Sequence, residues 1–205
     1  MRMAANLLLI LLAAGPARAQ PVGPEQAVGP ADRRAAPGRF ELGFVYGLAA
    51  FTAGHDDAAW YDGAPTGGGM DLATTPTLGL GLAWSAAADL RFGLRATWQD
   101  TRLEVDAAAG TLQTDLSLLH LHLAAEATFG GGRLRPLLGL AAGGTLASAE
   151  GADAAWHYSA APELGMRFAV DPRAVLRLTA RAPLIWANGT LVPQAEIAAG
   201  AALVF

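Results

Sequence analysis

The sequence predicts an all-β fold, an eight-stranded antiparallel up-and-down transmembrane β-barrel over residues 39–205. Three observations predict it. From Arg39 onward, apolar residues alternate with small or polar ones in eight segments separated by turn signals. The connections between these segments alternate short and long, as in barrels that cross a membrane. The chain opens on an export signal and closes on an alternating apolar strand, Leu203-Val204-Phe205, that ends on an aromatic.

Residues 1–19 have the three-part layout of a signal peptide: Arg2 at the start, an apolar stretch from Leu7 to Leu12, and the small-x-small site Ala17-Arg18-Ala19. Cleavage near Ala19 is expected, with a mature start near Gln20. The apolar stretch is shorter than the roughly 20 residues a spanning helix needs. No later segment reaches that length without Gly, Pro or charge. Residues 20–38 are rich in Pro, Gly and Ala and read as a disordered periplasmic lead-in. The chain has no Cys, so neither a disulfide framework nor a lipid-anchored lipoprotein is available to it. Its net charge is −4, and loss of Arg2 and Arg18 makes the mature form more acidic. That balance excludes a nucleic-acid protein.

The first strand is expected from Phe40 to Ala50, with Phe40, Leu42, Phe44, Tyr46 and Leu48 on one face and Glu41, Gly43, Val45 and Gly47 on the other. Phe51 breaks this phase and marks a bulge or the strand's end. The second runs from Thr77 to Ser85, with Leu78, Leu80, Leu82 and Trp84 opposite Gly79, Gly81 and Ala83. The third runs from Leu90 to Gln99 and sets Phe92, Leu94 and Trp98 against Arg91, Arg95 and Thr97. The fourth, Leu116 to Phe129, sets Leu119, Leu121 and Leu123 against His120, His122 and Glu126. The fifth, Arg133 to Leu146, sets Leu134, Leu138 and Leu140 against Arg135, Gly139 and Gly143. The sixth, Trp156 to Val170, sets Tyr158, Leu164 and Phe168 against His157, Ser159, Glu163 and Arg167. The seventh, Ala174 to Trp186, sets Leu176 and Leu178 against Arg177, Thr179 and Arg181. The eighth, Gln194 to Phe205, sets Ile197, Leu203 and Phe205 against Glu196, Ala198 and Gly200. Residues 86–89, 130–132 and 171–172 are tight turns. Residues 52–75, 101–115 and 147–155 are longer loops, and 187–192 is a short one.

With these segments in place, residues 40–205 resemble the small eight-stranded OmpA/OmpX-type outer-membrane barrels, and Arg135-Pro136-Leu137-Leu138-Gly139-Leu140 resembles a recurrent strand of that family. The resemblance implies the outer membrane of a Gram-negative bacterium, surrounded by outer-membrane lipids and lipopolysaccharide. It also implies that Leu203 and Phe205 form the signal read by the barrel-assembly machinery.

Alternation alone also fits a soluble barrel, and composition argues for the membrane. The face opposite the leucines is mostly Gly, Ala, Thr and Ser, and the chain has no Lys. Side chains just fill the interior of an eight-stranded barrel, so small residues there make steric sense. The charges on that face nearly balance: Arg91, Arg95, Arg135, Arg167, Arg177 and Arg181 against Glu41, Glu126, Glu163 and Glu196. A basic residue facing lipid at mid-depth costs about 2–4 kcal/mol, so six outward arginines would cost roughly 12–24 kcal/mol. That exceeds a typical total stability of about 5–15 kcal/mol. The Leu face therefore meets lipid, and the charged set, with His120 and His122, forms a lumen network. Phe40, Trp84, Phe92, Phe129, Phe168 and Phe205 fall at periplasmic strand ends, and Trp98, Trp156, Tyr158 and Trp186 at outer ends, as two interfacial girdles.

Candidate chemistry is sparse. His157 and Ser159 share a face near the outer end of the sixth strand, with Glu163 further in, and outer-membrane lipid A deacylases carry a His-x-Ser pair on a late strand. A His-activated Ser oriented by a carboxylate is the triad logic. Here Ala160-Ala161 follow the pair, unlike that family, and the alternative is a pair of polar lumen residues. His120 and His122 with Glu126 could ligate a metal, or belong to the lumen network; the second reading is adopted, with no metal and no cofactor. The long loops are acidic: Asp56, Asp57, Asp62 and Asp71, then Asp100, Glu104, Asp106 and Asp115, then Glu150 and Asp153, with Arg102 opposing them. They are soluble loops or a contact for a surface partner, to which Trp60-Tyr61 would add an anchor. Asn188-Gly189-Thr190 is an ordinary turn. The expected function is a structural or surface one with a plugged lumen and no catalysis. A lipid A acyl hydrolase, a narrow channel and a soluble ligand-binding barrel are the alternatives.

Overall fold

The structure, a computed structural model, describes residues 37–51, 55–56, 69–72, 74–107, 110–149 and 153–205. The expected signal segment, nearly all of the expected lead-in, and parts of the expected long loops lie outside them.

Eleven strands make one closed antiparallel sheet: β1 (Phe40–Phe51), β2 (His55–Asp56), β3 (Gly69–Leu72), β4 (Thr75–Ser85), β5 (Leu90–Ala107), β6 (Gly110–Thr128), β7 (Leu134–Ala149), β8 (Ala155–Asp171), β9 (Ala174–Arg181), β10 (Leu184–Ala187) and β11 (Thr190–Val204). Neighbours in sequence pair around the wall, and β1 pairs with β11 to close it. The wall has eight strands: β2 and β3 add to β5 outside the wall, and β9 and β10 are one strand interrupted at Ala182-Pro183. Both halves pair with β8 on one side and β11 on the other. Proline has no N–H for the ladder and breaks it there. Ala182 N–H still reaches Pro162 O at 3.0 Å, and Gln194 N–H reaches Pro183 O at 2.8 Å, so the seam is bridged on both sides.

Closure is made at the terminal end of the barrel. Phe40 N–H donates to Phe205 O at 2.9 Å, and Phe205 N–H donates back to Phe40 O at 3.0 Å. The two rings stack on the outside, their centroids 6.2 Å apart.

The turns follow from their residues. Asn188 and Gly189, with φ of 48° and 84°, form a two-residue connection between β10 and β11 in which both central residues are left-handed. Gly130 and Gly132, at φ 76° and 100°, allow the sharp reversal between β6 and β7.

Two expected loops differ. Residues 101–115 are not a loop: β5 and β6 continue as a paired ladder to Ala107↔Gly110. Their 18 and 19 residues exceed the roughly ten a membrane-spanning strand requires, so the hairpin projects beyond the wall. Within the expected 52–75 loop, β3 adds to this hairpin through Met70↔Val105 and Leu72↔Leu103, and β2 adds to β3. Alternation of Leu103 and Val105 with Glu104 and Asp106 is itself a strand pattern. β1 extends one residue past the expected break, to Phe51, which pairs with Gln194.

The faces are as expected. Leu80, Leu94, Leu123, Leu164 and Ile197 point outward, each at least 60% exposed, while Glu41, Arg91, Glu126, Glu163, Arg167 and Glu196 are buried inside. Much of the interior is charged, and most of the large apolar side chains are on the outside.

The lumen as candidate functional site

Alternation places one residue in two inside the barrel, and there the tilted strands bring acid and base into contact. Glu41 on β1 is held by two arginines. Arg167 on β8 forks onto it, Nη1 at 2.7 Å and Nη2 at 2.5 Å, and Arg91 on β5 donates from Nε at 3.0 Å. Arg91 also lies 3.6 Å from Glu126 on β6, whose other oxygen accepts from Arg177 on β9. Arg177 reaches Glu163 on β8 at 3.1 Å, and Glu163 accepts from Arg95 on β5 at 2.5 Å. The result is one continuous chain, Arg167–Glu41–Arg91–Glu126–Arg177–Glu163–Arg95, crossing the lumen between β1, β5, β6, β8 and β9. A second group joins Arg181 on β9 to Glu196 on β11, which also accepts from Thr77 on β4 at 2.8 Å. Fork geometry and ionised partners make these the stronger kind of hydrogen bond.

The predicted network residues divide by height. Arg135 stands opposite Arg167 across β7 and β8, where its Nε donates to Gly132 O at 3.3 Å. His120 and His122 form a separate layer above the ion pairs. His120 Nδ1 is 2.7 Å from Thr145 Oγ1, Thr145 donates to Ser159 Oγ at 2.9 Å, and Ser159 is 2.8 Å from His122 Nε2. With Thr145 as donor to Ser159, His120 Nδ1–H donates to Thr145, while the Ser159–His122 bond can be made with either group as donor.

Of the three candidate residues for a lipid A hydrolase, Ser159 is engaged by His122 and Thr145, and both oxygens of Glu163 are occupied by Arg95 and Arg177. A carboxylate held by two guanidinium groups is not placed to orient an imidazole. Among the described residues no group of three or more His, Asp or Glu side chains is arranged to hold a metal ion.

Two separate buried apolar clusters, not anticipated from the sequence, share the outer part of the interior with the buried amides of Gln99 and Gln194. Leu118, Ile185 and Val192 are fully buried, with Leu116, Ala147 and Ala187 beside them. The signal was present in Ile185 and Val192 on opposite sides of the Asn188-Gly189 turn, where a two-residue hairpin register sets them face to face.

The outward surface decides the environment. Phe40, Trp84 and Phe92 form a paired row at the terminal end, and Tyr158 and Trp186 pair at the other, with leucines between them. A continuous exposed apolar band between two aromatic girdles requires lipid. The fold is that of the small eight-stranded outer-membrane β-barrels. It is similar to OprG from Pseudomonas aeruginosa, with a TM-score of 0.59 at 17% identity over 82% of this chain and 96% of that one. It is also similar to Neisserial surface protein A, with a TM-score of 0.54 at 19% identity over 80% and 95%. AlkL in lipid bilayers gives a TM-score of 0.51 at 14% identity over 91% and 96%. No protein-family model and no curated protein sequence matches the chain.

Among the acidic outer residues, Asp100 accepts from Trp98 Nε1 at 3.0 Å and from Ser117 Oγ at 2.8 Å, tying the outer girdle to the hairpin. Arg102 pairs with Asp115 at 3.4 Å in an exposed contact. Asp57, Trp60, Tyr61, Asp62 and Glu150 lie outside the described residues.

Proposed function

We propose that this chain is an integral outer-membrane protein of a Gram-negative bacterium with a structural or surface role, its lumen closed by the Arg/Glu network. The observation that carries this reading is the continuous Arg167-to-Arg95 chain of ion pairs across the barrel. Buried charges paired on several sides resist displacement, because removing one partner leaves an uncompensated charge. Leu118, Ile185 and Val192 are fully buried further out. A lumen crossed by this chain of ion pairs does not carry hydrated ions, and the acidic outer hairpin is the part offered to the outside. Planar-bilayer recording of the purified protein tests this. The reading expects no stepwise conductance from the native protein, and steady porin-like openings would overturn it.

A further inference from the structure

The ion-pair chain does not fill the lumen. A hollow of about 50 Å³ lies beside it, lined by Glu41, Arg91, Arg95, Glu126 and Arg177 and by small residues of the wall. Gly43 on β1 and Gly81 on β4 stand directly opposite one another in that wall. They share one face of the sheet, the face of Glu41, which is buried inside. Neither glycine is required by close packing. A Cβ at Gly43 would come within 3.4 Å of Ala202 Cβ and one at Gly81 within 3.6 Å of Leu94 O, both ordinary contacts. Gly47, on the same face of β1, differs: its Cβ would stand 2.7 Å from Thr77 Oγ1. Packing demands glycine at position 47, whereas Gly43 and Gly81 make room.

Glu126 turns an unpaired oxygen toward that room. The residue is 6% exposed. Its Oε2 accepts from Arg177, but its buried Oε1 has no hydrogen bond. Arg91 Nη1 stands 3.6 Å from Oε1, within ion-pair reach and beyond hydrogen-bond reach. A buried acceptor left without a donor costs stability. Whatever occupies the hollow must donate to Glu126 Oε1 and accept from a guanidinium group. An anion would meet Glu41 and Glu126 there, and a cation would meet Arg91, Arg95 and Arg177. Water is neutral and both donates and accepts. Roughly 10–15 Å³ of such space holds one water, so the hollow has room for a few.

We infer that the hollow between Gly43, Gly81 and Glu126 is a binding site for a small cluster of ordered water, which donates to Glu126 Oε1 and bridges it to the arginines. The network is then a hydrated one, with water as a structural member beside the direct ion pairs. The inference rests on the closed-lumen reading, whose own failure shows as conductance and not in the measurement below.

The test is water-edited solid-state NMR on the full-length mature protein, carbon-13 labelled, in phosphatidylcholine bilayers. It reads the initial rate of magnetisation transfer from water to the Glu126 carboxyl carbon, against the fully buried Ile185 as the dry reference. Gly43→Ala/Gly81→Ala is the test variant, because its two methyl groups enter the hollow and leave every ion pair in place. Guanidinium protons exchange with water in both proteins, so the difference between parent and variant reports the hollow. In the parent, transfer to Glu126 should be several-fold faster than to Ile185, and the variant should at least halve it. Transfer to Glu126 no faster than to Ile185 overturns the inference, as does an unchanged rate in the variant. Mobility of the variant on an unboiled gel shows that the barrel is intact. If the double variant does not fold, Gly81→Ala alone, whose Cβ meets only Leu94 O within 4 Å, is read by the same two criteria.

Discussion

Phe40 and Phe205 close the barrel together: each donates its amide to the other's carbonyl, and their rings stack at 6.2 Å on the lipid side. The first residue of the first strand and the last residue of the chain thus meet in one place. The last residue is a structural contact here, whatever reads it during assembly.

Replacing Phe205 with Ala keeps the backbone exchange and removes the stack. An aromatic pair contributes about 0.5–1.5 kcal/mol beyond its buried area. The folded barrel should therefore unfold at slightly lower urea, while the yield of assembled protein in the membrane falls much further if Leu203 and Phe205 are the assembly signal. Comparing membrane-inserted yield with the urea midpoint of the purified variant separates the two effects.

Glu41→Gln removes the carboxylate that Arg91 and Arg167 share. Breaking one member of a buried ionic group typically costs about 3–5 kcal/mol. The variant should lose native gel mobility at a lower temperature than the parent. Glu196→Gln, which affects only the separate Arg181 and Thr77 group, should have the smaller effect.

The face assignment was legible in the sequence because two signals agreed: Leu80, Leu94 and Leu164 share one phase of the alternation, and arginines fill the other. Strand ends were less legible. Charge on Glu104 and Asp106 suggested a loop, yet Leu103 and Val105 keep the strand phase and pair across to Thr114 and Leu112. Which lumen residues meet could not be read at all. Arg167 and Glu41 are 126 residues apart, and their contact depends on strand tilt and stagger, which alternation leaves open. For the same reason the meeting of Ser159 with His122, on another strand, could not be read from the sequence.

Leu94→Arg places a cation on the lipid face between the two girdles, where the cost is about 2–4 kcal/mol. An Arg there should lower the urea midpoint clearly. Ala88→Arg, in the exposed turn after β4, should leave it nearly unchanged. Equal effects would contradict the outward placement of the leucines.

Ser159→Ala should leave lipid A unchanged by mass spectrometry in a strain producing the variant in place of the parent. The hydroxyl bridges Thr145 and His122, so its loss should register as a small destabilisation of about 1 kcal/mol. Restored acyl chains on lipid A would show instead that the residue is catalytic.

The most direct measurement is the mobility of the membrane fraction in SDS gels, boiled against unboiled. A closed barrel tied across its lumen by ion pairs should stay folded in detergent and shift on boiling. Recovery in the soluble fraction with no shift would contradict the account, because the apolar face would then have to point inward.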